Sequence, residues 1–261
     1  MVKDEISKAI ANTAYQTYER RLQREVLESP MPHHIAIIMD GNRRFAQEIG
    51  LEPMEGHIKG KDKLEEVMEW GMELGINILT VYAFSTENLT RNEEEVACLM
   101  DLFTENFHKL AKDERVHKNR IHLTVMGQRE LLPERVQEAI AAAEQATVGY
   151  EKYFYNIALA YGSRQEFVQA IRQVAQKVKD GELEVDDIDE KVFSGFLYTK
   201  DFPDPDLVLR TSGEERVSNF LLWQMAYSEL YFTDVYWPGF RKVDFLRAIR
   251  TYQMRKRRFG K

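Results

Sequence analysis

One cysteine, Cys98, stands in 261 residues. No disulfide can close within such a chain, and a thiolate metal centre has too few ligands. Cys98, inside "EEEVACLMDLF", therefore reads as a small core residue. No apolar run approaches the roughly 18–20 residues that span a bilayer, and the first thirty residues hold no apolar signal-peptide core. Positive charge is also scarce, with 36 Lys and Arg against 43 Asp and Glu and a net charge of −7. That balance argues against a nucleic-acid partner, whose phosphates need a cationic excess, but allows one local basic site. The chain has no internal repeat, no low-complexity linker, no Walker Gly-Lys-Ser/Thr and no GxGxxG fingerprint. The expectation is a cytoplasmic protein whose contact with a membrane surface is at most transient and peripheral.

What is present is ordinary globular material, 44% hydrophobic and 30% charged, and long enough for one large α/β domain. Short apolar runs predict strands over Ile35–Met39, Ile78–Phe84, Ile121–Met126, Tyr153–Ala158 and Leu207–Leu209, with a weaker one near Leu230–Phe232. Between them, amphipathic stretches predict helices near Ile58–Leu74, Glu93–Lys112, Pro133–Gly149, Arg164–Lys179 and Val243–Arg255. Strands separated by single helices define a mostly parallel sheet covered on both faces, where ligands sit at the carboxyl ends of strands. Residues 1–30 read as a separate helical extension. Ile6, Ile10, Ala14, Tyr18, Leu22 and Val26 recur every fourth position, and "SPMP" ends the helix before a domain over residues 31–261.

The strand ends carry the chemistry. After the first comes "MDGNRRFAQ". Gly41 can take backbone angles that let successive N–H groups converge on an anion, and a helix starting near Asn42 adds its partial positive charge. Arg44 offers a forked, permanent cation. Asp40 would repel the same anion unless Mg²⁺, which takes one or two carboxylates plus phosphate oxygens, stood between them. A turn whose aspartate merely caps a helix is the plain alternative. After the second strand, "YAFSTENLTRNEEE" delivers Ser85, Glu87, Asn88 and Arg91, with Thr90 or Asn92 as a helix cap. After the fifth, "LRTSGEERVSNF" packs Arg210, Ser212, Gly213, Arg216 and Ser218 into nine residues, either a second phosphate clamp or a solvated loop. Two anion sites on one sheet edge point to an enzyme with two phosphorylated substrates.

The stretches "HIAIIMDGNRRFA", "GHIKG", "YAFSTENLTR", "RTSGEERVSNFLLWQMAYSELYFTDVYWP" and the terminal "RRFG" resemble the motifs of cis-prenyltransferases, the family that includes undecaprenyl diphosphate synthase. The resemblance runs in order from His34 to Lys261. It implies a central six-stranded, mostly parallel sheet flanked by helices, and a homodimer. It also implies condensation of isopentenyl diphosphate with an allylic prenyl diphosphate to give a cis-polyprenyl diphosphate, with Mg²⁺ as cofactor. By the same resemblance Asp40 is the essential aspartate that places Mg²⁺, and Gly41, Asn42, Arg43 and Arg44 surround the allylic diphosphate, with Phe45 as an aromatic wall. His57 lies near that diphosphate. Asn88, a second catalytic candidate, and Arg91 flank the reacting centre beside Ser85 and Glu87. Arg210, Arg216 and Ser218 hold isopentenyl diphosphate. Glu229 is a metal-associated carboxylate, addressed within the chain or across the dimer, and Arg258 and Gly260 complete the partner subunit's site. The growing chain needs an apolar tunnel, for which the helical stripe Val96, Leu99, Met100, Phe103 and Phe107 is a candidate, an ordinary core stripe being the other reading.

Two departures stand out. Pro53 occupies a place where many members carry an arginine, with Lys59 or Lys61 as imperfect substitutes, and Phe45 replaces a frequent tryptophan. Pro53 motivates a rival reading, the same fold passing its prenyl group to an alcohol. A further rival is a non-catalytic partner subunit, against which the presence of Asp40, Arg44, Arg210, Arg216 and Ser218 counts. The pair His33–His34 precedes a strand without a carboxylate cluster and reads as structural or exposed.

Overall fold

All five residues of the first strand are buried, which in a parallel sheet means cover on both faces. A computed structural model describes the backbone of residues 2–255 and the side chains of residues 13–255. Its strands are β1 (His34–Ile38), β2 (Ile78–Ser85), β3 (Ile121–Met126), β4 (Tyr153–Tyr161), β5 (Leu207–Arg210) and β6 (Glu229–Phe232). They form one sheet in the order β3-β4-β2-β1-β5-β6, with every pair parallel. Helices among the described residues are α1 (Val2–Leu27), α2 (Asn42–Glu48), α3 (Pro53–Glu73), α4 (Glu93–Leu110), α5 (Glu114–Asn119), α6 (Glu134–Thr147), α7 (Ser163–Lys179), α8 (Glu190–Ser194) and α9 (Lys242–Met254). None is long and apolar enough to cross a membrane.

From β1 the chain steps to β2 on one side and later returns to β5 on the other. The order therefore reverses between β1 and β5, and such a reversal opens a crevice beyond the strands' carboxyl ends. Asp40 and Arg210 stand at that point, with Ile38 registered against Arg210. On one face a large core joins β1–β5 to α3, α4, α6 and α9. On the other a smaller one gathers Tyr82, Tyr161 and Phe220, the Tyr82 and Phe220 rings stacked at 4.6 Å.

Two expectations need correction. Cys98 is exposed: it lies on the outward side of α4, whose neighbours Leu99 and Met100 turn inward. In α1, Leu22 and Val26 are buried while Ala14 and Tyr18 are exposed, and Tyr15 packs inward beneath Arg241. A repeat of four drifts by about 40° per step on a helix of 3.6 residues per turn, so one strict stripe cannot stay on one face. The Ile6 and Ile10 side chains lie outside the described residues. His33 is exposed and His34 buried, without a metal-binding cluster among the described residues.

Candidate functional site

Arg210 is the centre of the strand-end mouth. It is 4% exposed and spends its guanidinium on three partners: Asp40 Oδ2 at 2.7 Å, Ser218 Oγ at 2.8 Å and the carbonyl of Arg216. Arg44, in the first turn of α2, donates to Asp40 Oδ1 at 3.3 Å, Ser212 Oγ at 2.8 Å and Glu214 Oε1 at 3.0 Å. Glu214 also accepts from Arg216, so one carboxylate holds two guanidiniums close together. Burial raises the Asp40 carboxyl, but the Arg210 hydrogen bond and charge, with Arg44 beside it, outweigh that and hold it below its ordinary value. The loop bearing these groups is tightly wound. Ser212 (φ 77°), Ser218 (φ 48°) and Asn219 (φ 63°) all take left-handed backbone angles, the sort of strain that functional loops retain.

A second cationic group lies across the mouth. Glu95, in the first turn of α4, meets Arg43 at 3.2 Å, Arg91 at 3.1 Å and His57 Nε2 at 3.6 Å. Burial and the charges of Arg91 and Arg43 lower the His57 imidazole despite the opposing pull of Glu95. Ser85 and Asn88 cap each other across a single 3₁₀ turn over Thr86–Thr90. The Ser85 N–H donates to Asn88 Oδ1 at 3.1 Å, and the Asn88 N–H to Ser85 Oγ at 3.3 Å. Three buried polar atoms at this mouth have no hydrogen-bond partner: Asn42 Oδ1, His57 Nε2 and Arg210 Nε. Such atoms are costly unless a ligand satisfies them.

Below the mouth a cavity of about 790 Å³ runs along the sheet between α3 and α4. Its walls turn apolar at once, with Leu64 and Met68 from α3, Phe84 and Ile157 from the sheet, and Leu99, Leu102, Phe103, Phe107 and Leu110 from α4. Of the α4 stripe, Leu99, Phe103 and Phe107 face this space. Val96 and Met100 face a smaller hollow beside Pro133 and Arg135.

The cavity wall brings together Asp40, Gly41, Asn42, Arg43, Arg44, His57, Ser85, Glu87, Asn88, Arg91, Arg210, Arg216 and Ser218. Two expected residues fall elsewhere. Phe45 points toward Gly239 and forms no part of the cavity wall. Glu229 opens β6, level with Leu207 rather than with Arg210, and pairs with Arg255 at 2.7 Å. It thus lies at the opposite end of the strands from Asp40 and cannot share a metal with it inside one chain. Arg258 and Gly260 lie outside the described residues. Pro53 is the first residue of α3, exposed, with a Glu52–Glu55 capping box around it. Lys59 is exposed, and Lys61 lies on the cavity wall with its charge paired to Asp62 at 2.8 Å. For a metal the strand-end mouth offers the half-buried carboxylate of Asp40, and the described residues hold no cluster of three His, Cys, Asp or Glu that could bind an ion. That donor set does not fit a protein-built cage; it fits Mg²⁺, which draws most of its ligands from phosphate and water.

Guanidiniums around an anion-sized mouth, opening into an apolar shaft, define a protein for molecules with a phosphorylated head and a hydrocarbon tail: a prenyltransferase. The chain belongs to the undecaprenyl diphosphate synthase family, whose model matches residues 38–260. A relative from Methanopyrus kandleri, named tritrans,polycis-undecaprenyl-diphosphate synthase (geranylgeranyl-diphosphate specific), is 56% identical over 247 residues, 95% of this chain and 91% of the relative. One of the same name from Thermoplasma volcanium is 53% identical over 256 residues, covering 98% and 99%. The solved lavandulyl diphosphate synthase from Lavandula x intermedia, in complex with dimethylallyl diphosphate, superposes with a TM-score of 0.83 at 37% identity, covering 88% of this chain and 99% of that one.

Proposed function

We propose that this chain condenses isopentenyl diphosphate repeatedly with an allylic prenyl diphosphate to make a cis-polyprenyl diphosphate, and that the donor is geranylgeranyl diphosphate, as its relatives' names specify. The observation that carries the reading is the continuity of one cavity from the arginine-rich mouth to the apolar shaft. In each cycle the C1–O bond of the donor breaks, C4 of the acceptor bonds to C1, and a C2 proton and diphosphate leave. Arg44, Arg43 and the backbone after Gly41 hold the donor's diphosphate, where positive charge stabilises the departing group. Arg210, Arg216 and Ser218 hold the acceptor's. Fixing both heads at one mouth sets the carbon atoms in attacking geometry and accounts for much of the rate. The capped Ser85–Asn88 turn shapes the wall beside the reacting carbons.

Asp40 would hold Mg²⁺ together with diphosphate oxygens, and that ion would supply charge neutralisation at the leaving group. In a homodimer, which the family reading implies, Glu229 would address the second subunit. The presence of both guanidinium clusters beside Asp40 speaks against a non-catalytic subunit. The test is incubation of the full chain with geranylgeranyl diphosphate, radiolabelled isopentenyl diphosphate and Mg²⁺. Label should enter longer cis chains; folded protein that incorporates none overturns the reading.

Glu95 adds a sharper expectation. Glu95→Gln removes the charge that aligns Arg43, Arg91 and His57, groups that solvent partly screens, so the effect is moderate. The donor KM should rise about tenfold, roughly 1.4 kcal/mol, with a smaller change in kcat. Steady-state kinetics in the two substrates separately checks it, and an acceptor KM that rises instead contradicts it.

A further inference from the structure

The cavity that starts at Asp40 ends among charges. Lys61 and Glu65 of α3 and Lys109 of α4 belong to its wall. Across the gap between the helices Lys109 Nζ donates to Glu65 Oε1 at 2.8 Å, and Arg115 of α5 donates to Glu65 Oε2 at 2.7 Å. Arg115 is in turn fixed by Asp113 at 2.8 Å and Glu69 at 3.0 Å. Lys109 is 50% exposed and Arg115 48%, so this charged end of the cavity stands at the molecular surface. Glu65 lies close to the phenol of Tyr155, whose ring lines the cavity: burial raises that phenol and the Glu65 charge raises it further. Tyr155 is registered with Leu79, near the start of the strands, whereas Asp40 lies beyond their end. From Leu99 to Leu110 the α4 wall spans roughly 17 Å at 1.5 Å per residue.

We propose that the Glu65–Lys109 pair is a latch across the lower mouth of the cavity and sets the length of the hydrocarbon product. This rests on the prenyl-elongating reading above. Inside the shaft each methylene added to the chain gains about 0.8 kcal/mol by leaving water. At the latch the wall changes from Phe107 and Leu110 to paired charges, against which hydrocarbon gains no such burial. The pair is half-exposed, and such pairs hold with only about 0–1 kcal/mol. A tail can therefore part it, but further growth no longer goes downhill. Elongation loses its driving gradient at a fixed depth, with Arg115 keeping Glu65 aimed across the gap.

The test is the carbon number of the products, by mass spectrometry, from Lys109→Leu and from the double variant Glu65→Leu/Lys109→Leu, each incubated with geranylgeranyl diphosphate, isopentenyl diphosphate and Mg²⁺. With apolar side chains at the foot, the longest products should grow by about one or two isoprene units, more in the double variant. Glu66→Gln, whose carboxylate pairs with Lys63 outside the cavity wall and touches no member of the latch, should leave the distribution unchanged. Should the double variant fail to fold, Lys109→Met alone decides. Products of unchanged or shorter length from a variant that completes the first condensation overturn the latch while leaving the elongating reading intact. A wild-type chain that elongates nothing overturns both.

Discussion

Asp40→Asn should lower kcat on the order of a thousandfold while leaving the KM of both diphosphates unchanged or lower. Turnover falls without weaker apparent binding because Asp40 does two things at the mouth. Its Oδ2 neutralises the nearly buried Arg210 and its Oδ1 leans on Arg44. Asparagine keeps the shape and removes the charge, so both guanidiniums turn a fuller positive field on an incoming anion. What is lost is the ionised oxygen that would hold Mg²⁺ against the departing diphosphate. Removing one partner of a fully buried ion pair costs about 3–5 kcal/mol. Asp40 is 28% exposed, so solvent reduces the loss here to about 2 kcal/mol. Steady-state kinetics and urea denaturation of the same variant separate the roles. A kcat within a few-fold of wild type sinks the assignment of Asp40, whatever happens to stability. Because the folded carboxyl titrates below its unfolded value, its contribution to stability is complete above about pH 4 and is lost as pH falls through the depressed folded value.

The strands were legible because their signal is local. Ile121–Met126 is bounded as expected, and the other five differ by one to three residues. The helix start at Asn42 and the anion-ready Gly41 were legible too, but only half of Gly41's reason was. Its φ of 101° suits the turn, while a Cβ there would also lie 2.7 Å from the Tyr236 ring, a neighbour distant in sequence. The glycine of "GHIKG" at position 56 has a similar cause. A Cβ would meet the carbonyl oxygen of Asn42 at 2.2 Å, so α2 and α3 can cross this closely only without a side chain there. Glu95 escaped notice because three acids in the first turn of a helix are what the macrodipole favours anyway. Only the fold reveals that one of the three collects Arg43, Arg91 and His57. Glu229 lies away from Asp40 within one chain for a different reason. A motif carries no direction, and whether a carboxylate opens a strand or follows one decides which end of the sheet it occupies. Phe45 follows the same logic, since adjacency to Arg44 in sequence places the next helical side chain about 100° away around α2.

Acid should unfold this protein earlier than its carboxylates alone would dictate, through His34. The imidazole is buried at the start of β1, with Nδ1 2.7 Å from the carbonyl of Pro203 and Nε2 2.7 Å from Thr80 Oγ1. The carbonyl can only accept, so Nδ1 carries the proton and Nε2 accepts from the Thr80 hydroxyl, which in turn accepts from Asn156 Nδ2 at 3.2 Å. A second proton on Nε2 would face that hydroxyl's hydrogen in a site closed to water. Burial accordingly lowers the group to about 4, against the pull of the Pro203 carbonyl and the Asp206 charge. In the unfolded chain it titrates near 6.5. Between those values the unfolded state binds a proton that the native state refuses. Stability is therefore full above about pH 6.5 and falls as pH drops toward 4, by about 3 kcal/mol at 1.36 kcal/mol per pH unit. His34→Gln keeps a donor and an acceptor without the titration. Its urea midpoint should be lower than wild type at pH 7.5, and its loss between pH 6.5 and 4 smaller by that same amount. Parallel curves for the two proteins across this window would show that His34 has no part in the acid transition.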